Sequence, residues 1–197
     1  MRRTALLLAL ACTALGAAPA RQLPRPELLR QALAAYRELE AAGRVRNPVL
    51  TVIDYGLPSS RRRLWVIDPK TEQVRFHEFV AHGRGSADDR NPDRAVRFGN
   101  ESASRRSSLG TFLTGASYVG AHGYSLELTG LDPGVNDRAV ERRIVIHPAN
   151  YVSEAFVKAH GRLGRSFGCP ALDPKVSRAV IDAIRDGSVL YVGAAAK

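Results

Sequence analysis

Residues 143–174 read RIVIHPANYVSEAFVKAHGRLGRSFGCPALDP, and this stretch carries most of what the sequence says about fold and chemistry. It begins with an apolar, β-branched run that ends at His147, which is typical of a short buried strand. It ends with Asp173 and Pro174, which suit the cap and first turn of a helix. Between them, Cys169 lies in a segment rich in glycine and arginine. The pattern predicts a strand, a loop that presents a cysteine, and a helix.

Outward from this stretch, short β-branched and aromatic runs separated by turn residues predict further strands. The predicted strands are 49–55, 64–67, 74–80, 111–118, 124–128, 143–146 and 189–192, the first three as a meander. Apolar residues at helical spacing predict one amphipathic helix over 24–42 and another from Asp173 to Gly187. Residues 81–109 have little periodicity and predict a long loop over one face. The fold class is therefore mainly β, with flanking α-helices.

The first twenty residues have the composition of a secretory signal peptide. Arg2 and Arg3 precede a mostly apolar stretch that is too short to span a bilayer, and small residues stand at Ala18 and Ala20. Lipidation at Cys12 and twin-arginine export are competing interpretations, but their other consensus residues are missing. We expect a signal peptide at 1–20, a helical segment at 21–47, a main domain at 48–197 and no transmembrane helix in the mature chain.

The chain is strongly basic, with 29 Lys and Arg against 19 Asp and Glu, which gives a net charge of +10. Removal of residues 1–20 deletes two arginines and no acids, so 10 − 2 leaves +8. A basic surface suits nucleic acid, acidic lipid or an anionic wall polymer, and export argues against nucleic acid as a partner. A solvated, arginine-rich surface explains the same charge equally well.

Cleavage after residue 20 also removes Cys12, which leaves Cys169 as the lone cysteine of an exported protein. Such a thiol is a buried filler, an intermolecular bridge or a nucleophile. A thiol attacks as its anion, and Arg162, Arg165, a histidine or a helix N-terminus would lower its pKa. Gly168 permits a sharp turn before Cys169, so that nearby backbone N–H groups can form an oxyanion hole.

A histidine is the expected base for this thiol, because imidazole exchanges protons near neutral pH. His147 is the best candidate, since it ends an apolar strand and is followed by Pro148. The other four histidines lie in glycine-flanked turns, in the loop before the cysteine and in a charged strand; they are His82, His122, His160 and His77.

Two other interpretations of these residues remain open. Zinc has the right ligand types in His82, His122, His147 and His160 together with Cys169. However, the close paired spacings of familiar zinc sites are missing. His147 and Cys169 also suit a satisfied core histidine and a small buried cysteine. We expect neither a metal nor another cofactor.

Taken together, these residues resemble the L,D-transpeptidase (YkuD-like) catalytic family. The resemblance rests on His147 after an apolar strand, on the basic loop 161–165 and on the Ser-x-Gly-Cys pattern at 166–169. It is closer to the subgroup of murein L,D-transpeptidase catalytic domains, through residues 80–83, 107–110, 118–123 and 164–171. It covers about residues 48 to 193.

The resemblance implies a β-sandwich-like catalytic domain at 48–197 that acts on peptidoglycan stem peptides through a thioester. It implies Cys169 as nucleophile and His147 as general base, with Ser166, Phe167 and Gly168 shaping the thiol pocket. Candidate substrate contacts are Arg162, Arg165, Tyr118, His122 and His82. The alternatives are an L,D-carboxypeptidase that uses water as acceptor, and a non-catalytic wall-binding module.

The sequence departs from the common family pattern at several positions. Pro148 stands where the family has glycine, and Phe167 where it has histidine. Pro170 and Ala171 replace an aliphatic residue and an arginine, and 22 residues separate His147 from Cys169. The missing arginine removes a carboxylate partner, which Arg162 or Arg165 would replace.

Overall fold

The computed structural model of the protein describes residues 23–194. The expected signal peptide at 1–20 lies outside these residues. Along the described part of the chain, no helix has both the length and the apolar character needed to cross a membrane.

The described residues form eight strands, three α-helices and one short 3-10 helix. The α-helices are α1 (Pro26–Ala41), α2 (Glu154–His160) and α3 (Pro174–Ile184), and the 3-10 helix is Arg84–Ser86. The strands are β1 (Leu50–Asp54), β2 (Leu64–Ile67), β3 (Val74–Glu78), β4 (Gly110–Gly120), β5 (Gly123–Gly130), β6 (Val145–Pro148), β7 (Ala171–Leu172) and β8 (Val189–Gly193).

All eight strands belong to one sheet with the order β3-β2-β1-β8-β4-β5-β6-β7. Most neighbours are antiparallel, whereas β8 runs parallel to β1 and β7 parallel to β6. Ala81, which follows the edge strand β3, pairs with Ala171 of the opposite edge strand β7, and its N–H donates to the Ala171 carbonyl at 2.9 Å. This closing contact turns the sheet into a nearly closed barrel.

Two apolar layers cover the central strands. Leu50 and Val52 of β1 pack with the apolar stripe of α1, whereas Ile53 belongs to the main core with α3. The alternation follows from the two-residue period of a strand. The start of α1 is also tied to the end of β1, because the Arg25 guanidinium donates to both oxygens of the fully buried Asp54 carboxylate, at 2.6 and 3.1 Å.

The fold class predicted from sequence is confirmed, including the β1–β2–β3 meander and both predicted helices. Asp173 caps α3 as expected, since its side chain accepts from the Lys175 N–H. Three elements were missed: α2, β7 and the 3-10 helix Arg84–Ser86, which lies in the predicted long loop. Ser153 caps α2 and Gly161 ends it in the left-handed region, so His160, expected in a loop, is its last residue. These cap residues were the available signal.

The segment between α2 and β7, residues 161–170, is called the cysteine loop below. It leaves α2 at Gly161 and enters β7 directly after Pro170. A small apolar cluster beneath it, formed by Ala81, Ala149, Val152, Leu163 and Ala171, packs the loop against β6 and the chain after β3. The fold therefore brings Cys169 next to the end of β6, where His147 stands.

Candidate active site

Cys169 and His147 line the same surface groove, which has a volume of about 340 Å³. We call it the thiol groove. Of the eight other predicted site residues, four line it: His122, Arg165, Ser166 and Phe167, while Gly168 lies buried immediately before the thiol in the chain. Pro148, Ala149 and Tyr151 complete the lining. Residues far apart in sequence thus meet around one sulfur atom.

The cysteine loop is held by hydrogen bonds to its own backbone. The Ser166 hydroxyl donates to the Cys169 carbonyl at 2.6 Å and accepts from the Gly168 N–H at 3.1 Å. The Ser107 hydroxyl donates to the Gly168 carbonyl at 3.1 Å from the neighbouring long loop. Gly168 has φ +127°, and a Cβ there would lie 2.8 Å from the Arg106 carbonyl oxygen. Glycine is therefore required immediately before the thiol.

The Cys169 thiol is half-buried between backbone groups of the segment that leads into β6. Its sulfur accepts from the Val145 N–H at 3.5 Å and faces the Arg143 carbonyl at 3.6 Å. Burial raises the pKa of the thiol above its usual value, while the Val145 N–H and the Arg142 charge act in the opposite direction. The cation that acts on the thiol is therefore Arg142, and not Arg162 or Arg165 as the sequence suggested.

His147 is 6% exposed and its ring is held in one orientation. Nδ1 lies 2.9 Å from the Pro148 carbonyl oxygen. A carbonyl only accepts, so Nδ1 carries the hydrogen and Nε2 is left as the basic nitrogen. Burial lowers the pKa of His147, the Pro148 carbonyl opposes this, and His122 lowers it further. The resting pair is thus a neutral imidazole and a neutral thiol, not an ion pair.

His122 stands beside His147, in the turn between β4 and β5. The centroids of the two imidazole rings are 4.7 Å apart and their planes are tilted by 30°. His122 is exposed, whereas His147 is buried. Two adjacent imidazoles resist double protonation, because like charges at this distance repel.

Three predicted substrate contacts lie outside the lining of the thiol groove. His82 is fully buried, and its Nδ1 accepts from the Arg63 guanidinium at 2.8 Å. Tyr118 is 41% exposed on the β4–β5 hairpin. The Arg162 guanidinium donates to the Leu163 carbonyl at 2.9 Å within the cysteine loop. Of the two remaining histidines, His77 stacks on Trp65 and His160 packs on Phe156.

Tyr151 lines the groove and was missed by sequence reasoning. Burial raises its pKa to about 12, and the negative charge that Cys169 carries once ionised adds to this, so the phenol stays protonated at neutral pH. Its ring packs closely on Gly164, where a Cβ would lie 2.5 Å from the Tyr151 Cβ. No sequence pattern singles it out, because it lies in the turn between β6 and α2. The Gly168 N–H, expected in an oxyanion hole, is already bonded to Ser166.

No metal-binding constellation is present in residues 23–194, where no three histidine, cysteine, aspartate or glutamate side chains gather suitably. His122 and His147 are close together, but His82 is buried with Arg63 and His160 lies on Phe156 at the end of α2. The ionisable side chains that line the thiol groove are those of Cys169, His122, His147, Tyr151 and Arg165.

Several solved structures are similar to this chain at low sequence identity. An L,D-transpeptidase from Mycobacterium smegmatis is 16% identical over 74% of this chain and 58% of its own, with a TM-score of 0.43. L,D-transpeptidase 1 from Mycobacterium tuberculosis is 13% identical over 75% and 62%, with a TM-score of 0.41. The helical cell shape determining protein Pgp2 from Campylobacter jejuni is 13% identical over 77% and 49%, with a TM-score of 0.47.

The chain covers less than two thirds of each of these proteins. No curated protein matches it. A sequence profile of the L,D-transpeptidase catalytic domain, in contrast, matches residues 21–192, which is most of the chain. On this match, and as the resemblance predicted, the chain belongs to the family of L,D-transpeptidase catalytic domains.

Proposed function

We propose that the protein is an exported acyltransferase that cleaves peptidoglycan stem peptides through a thioester on Cys169, with His147 as the base. One observation carries this proposal: Cys169 and His147 line one groove although 22 residues separate them. The Nδ1 contact of His147 with the Pro148 carbonyl supports the role of base, because it places the hydrogen on Nδ1 and leaves the lone pair on Nε2.

In the first half-reaction the thiol rotates away from the Arg143 carbonyl and gives its proton to His147 Nε2 as sulfur attacks. The attacked carbon is the carbonyl of the third residue of a tetrapeptide stem. The carbonyl electron pair moves to oxygen, and the protonated Tyr151 phenol is the neutral donor in the groove for that oxygen. The C–N bond then breaks, and His147 returns the proton to the amine of the departing D-alanine.

In the second half-reaction an amine attacks the thioester carbonyl and the sulfur leaves as the thiol. His147 first takes a proton from the attacking amine and then gives one to the sulfur, so the enzyme ends as it began. We propose that the acceptor is an amine of a second stem peptide, so that the product is a cross-link. Export to the periplasm or cell envelope rests on the leader expected at 1–20 and suits the lone thiol and the basic surface.

The decisive experiment compares the mature protein with Cys169→Ala on purified tetrapeptide muropeptides. We expect the parent to release D-alanine and to form cross-linked products identified by mass analysis. Cys169→Ala should release none while keeping the parent circular dichroism spectrum. Alkylation of the folded parent by iodoacetamide, absent in Cys169→Ala, separates a reactive thiol from buried filler. Equal release by the two proteins would refute the proposal.

A further inference from the structure

A second groove lies on the other side of Phe167 from the thiol. We call it the arginine groove; its volume is about 290 Å³, and Arg105, Arg142 and Arg143 line it together with Glu141. Phe167 is 66% exposed and lines both grooves, so that it forms the wall between them. The two grooves are therefore adjacent parts of one surface.

Two of the three arginines in the arginine groove, Arg105 and Arg143, have no carboxylate partner among the described residues. Glu141 is held bidentately by Arg138, at 2.7 and 2.9 Å. In the described part of the chain, Arg105 and Arg143 form no ion pair with a carboxylate. The Arg105 guanidinium instead lies over the Phe167 ring, 4.8 Å from its centroid. A planar guanidinium held this way keeps its donor edge free for a planar anion.

Arg142 has a different task from its two neighbours. Its guanidinium donates to the Gly99 carbonyl at 2.9 Å, to the Ser108 hydroxyl at 2.7 Å and to the Arg106 carbonyl at 2.6 Å. Arg142 therefore holds the base of the arginine groove in place. Burial lowers its pKa, and the Glu101 carboxylate acts in the opposite direction. Arg105 and Arg143 are both exposed and remain available to a ligand.

The backbone of this groove is held in unusual conformations. Within residues 23–194, five residues other than glycine have positive φ, and three of them line this groove: Ala103 (+58°), Arg105 (+55°) and Arg143 (+53°). Left-handed conformations of such residues are unfavourable and concentrate at functional sites. The surrounding structure thus holds the two free arginines in place.

The arginine groove also borders the reacting sulfur through the backbone of Arg143, one of its lining residues. The Arg143 carbonyl oxygen lies 3.6 Å from Cys169 Sγ, and the Arg142 charge acts on the same thiol. One peptide residue spans about 3.5 Å. Because Phe167 lines both grooves, a carboxylate one residue beyond a carbonyl attacked by Cys169 has the arginine groove as its neighbouring space.

We propose that the arginine groove binds the C-terminal carboxylate of the donor stem peptide, with Arg105 and Arg143 as its donors. The inference rests on the proposed function, because it takes the scissile bond to lie one residue before that carboxylate. The groove then selects stems that end one residue after the attacked carbonyl, and phosphate from a wall polymer is the competing source of an anion.

The test is a binding measurement on the mature Cys169→Ala protein, which needs no turnover. Calorimetry compares a synthetic tetrapeptide stem that has a free C-terminal carboxylate with the same peptide as its C-terminal amide, with inorganic phosphate as a third ligand. We expect the acid to bind about 10- to 100-fold more tightly than the amide, as for a charge-assisted pair. Arg105→Gln with Arg143→Gln should abolish the preference.

Two controls make the result specific. Arg37→Gln on the exposed face of α1 removes the same charge far from the groove and should keep the preference. Arg105→Lys should retain part of it. Equal binding of acid and amide by the Cys169→Ala protein would overturn the inference while leaving the proposed function intact, since D-alanine release is measured separately. Displacement of the acid by phosphate at equal affinity would also overturn it.

Discussion

Two buried histidines, His147 and His82, lie in neighbouring regions of the molecule but differ in what can reach their rings. His147 lines the thiol groove, whereas His82 lies in what we call the loop floor, the buried layer that it forms with Arg63 and Tyr55. The floor touches the cysteine loop directly, because the Ser166 N–H donates to the His82 carbonyl at 3.0 Å. Both rings avoid water, but only one of them faces space that a substrate can enter.

The partner of each imidazole explains the difference. The Pro148 carbonyl orients His147 without competing for its basic nitrogen. Arg63 instead occupies the acceptor nitrogen of His82, and burial, followed by that charge, lowers the pKa of His82 to about 3. Burial alone therefore does not distinguish the histidine that we propose as the base; its position beside a groove, with Nδ1 bonded to a carbonyl, does. The following changes test this contrast, from the largest expected effect to the smallest.

His147→Gln should slow thioester formation by about 10²- to 10⁴-fold, because it removes the base while keeping a polar side chain of similar size. Stopped-flow measurement of acylation, with intact mass as the product check, gives the rate. His160→Gln is the matched control at the end of α2 and should retain the parent rate. Equal losses in both variants would remove His147 from the role of base.

Ser107→Ala should lower the free energy of unfolding by about 3 kcal/mol, since two buried backbone groups lose their partner. These two groups join the chain beside the loop floor to the cysteine loop. The Ser107 hydroxyl donates to the Gly168 carbonyl at 3.1 Å and accepts from the Gly83 N–H at 3.0 Å. Urea unfolding measures the change. Ser102→Ala, an exposed serine of the same long loop, should be neutral. A neutral Ser107→Ala would contradict this coupling.

His82 should make the fold sensitive to acid. Its pKa is about 3 in the folded protein and 6.5 ordinarily, so the unfolded chain binds the proton between these values. Above pH 6.5 the proton uptake of His82 therefore does not reduce the free energy of unfolding. Between pH 6.5 and 5 it lowers the free energy of unfolding by about 2 kcal/mol. Urea unfolding across that range should show a shallower decline for His82→Gln than for His160→Gln. Parallel declines would exclude His82 as the source.

His122→Gln should give the smallest effect, a displacement of the pH profile. The pKa of His147 is lowered mainly by burial and in part by His122. The acid limb of kcat/KM should therefore lie below pH 6.5 and move to higher pH in His122→Gln, because a charged neighbour has been removed. His77→Gln, away from the groove, should leave the limb in place. A limb that moves to lower pH would contradict the repulsion between the two rings.

Local patterns predicted the elements that local chemistry determines. The stripe of α1, the Asp173 cap of α3 and the β1–β3 meander are all visible over fewer than thirty neighbouring residues. The two-residue strand β7 has no pattern of its own and exists because Ala171 finds partners in His147 and Ala81. Such pairings depend on chain segments that are distant in sequence, which periodicity does not report.

The candidate site was predictable in its chemical core and not in its surroundings. His147 and Cys169 stand out because their sequence neighbours restrict the backbone. Arg142 was missed because its effect on the thiol crosses from a different segment, whereas Arg162 was favoured only for being near in sequence. His82 was expected near substrate because glycine follows it, but Arg63, nineteen residues earlier, decides its role.

The closing contact of the sheet has a consequence for how the protein inactivates. β7 contributes only two residues, and the amides of Ala81 and Ala149 reach it through single hydrogen bonds of 2.9 and 2.8 Å. We expect a strand pairing with so few hydrogen bonds to open by local unfolding before the layers around β1 and β8 unfold. We expect these two amides to exchange with deuterium before those in β1. Mild heating should abolish the reactivity of Cys169 while most of the sheet remains folded.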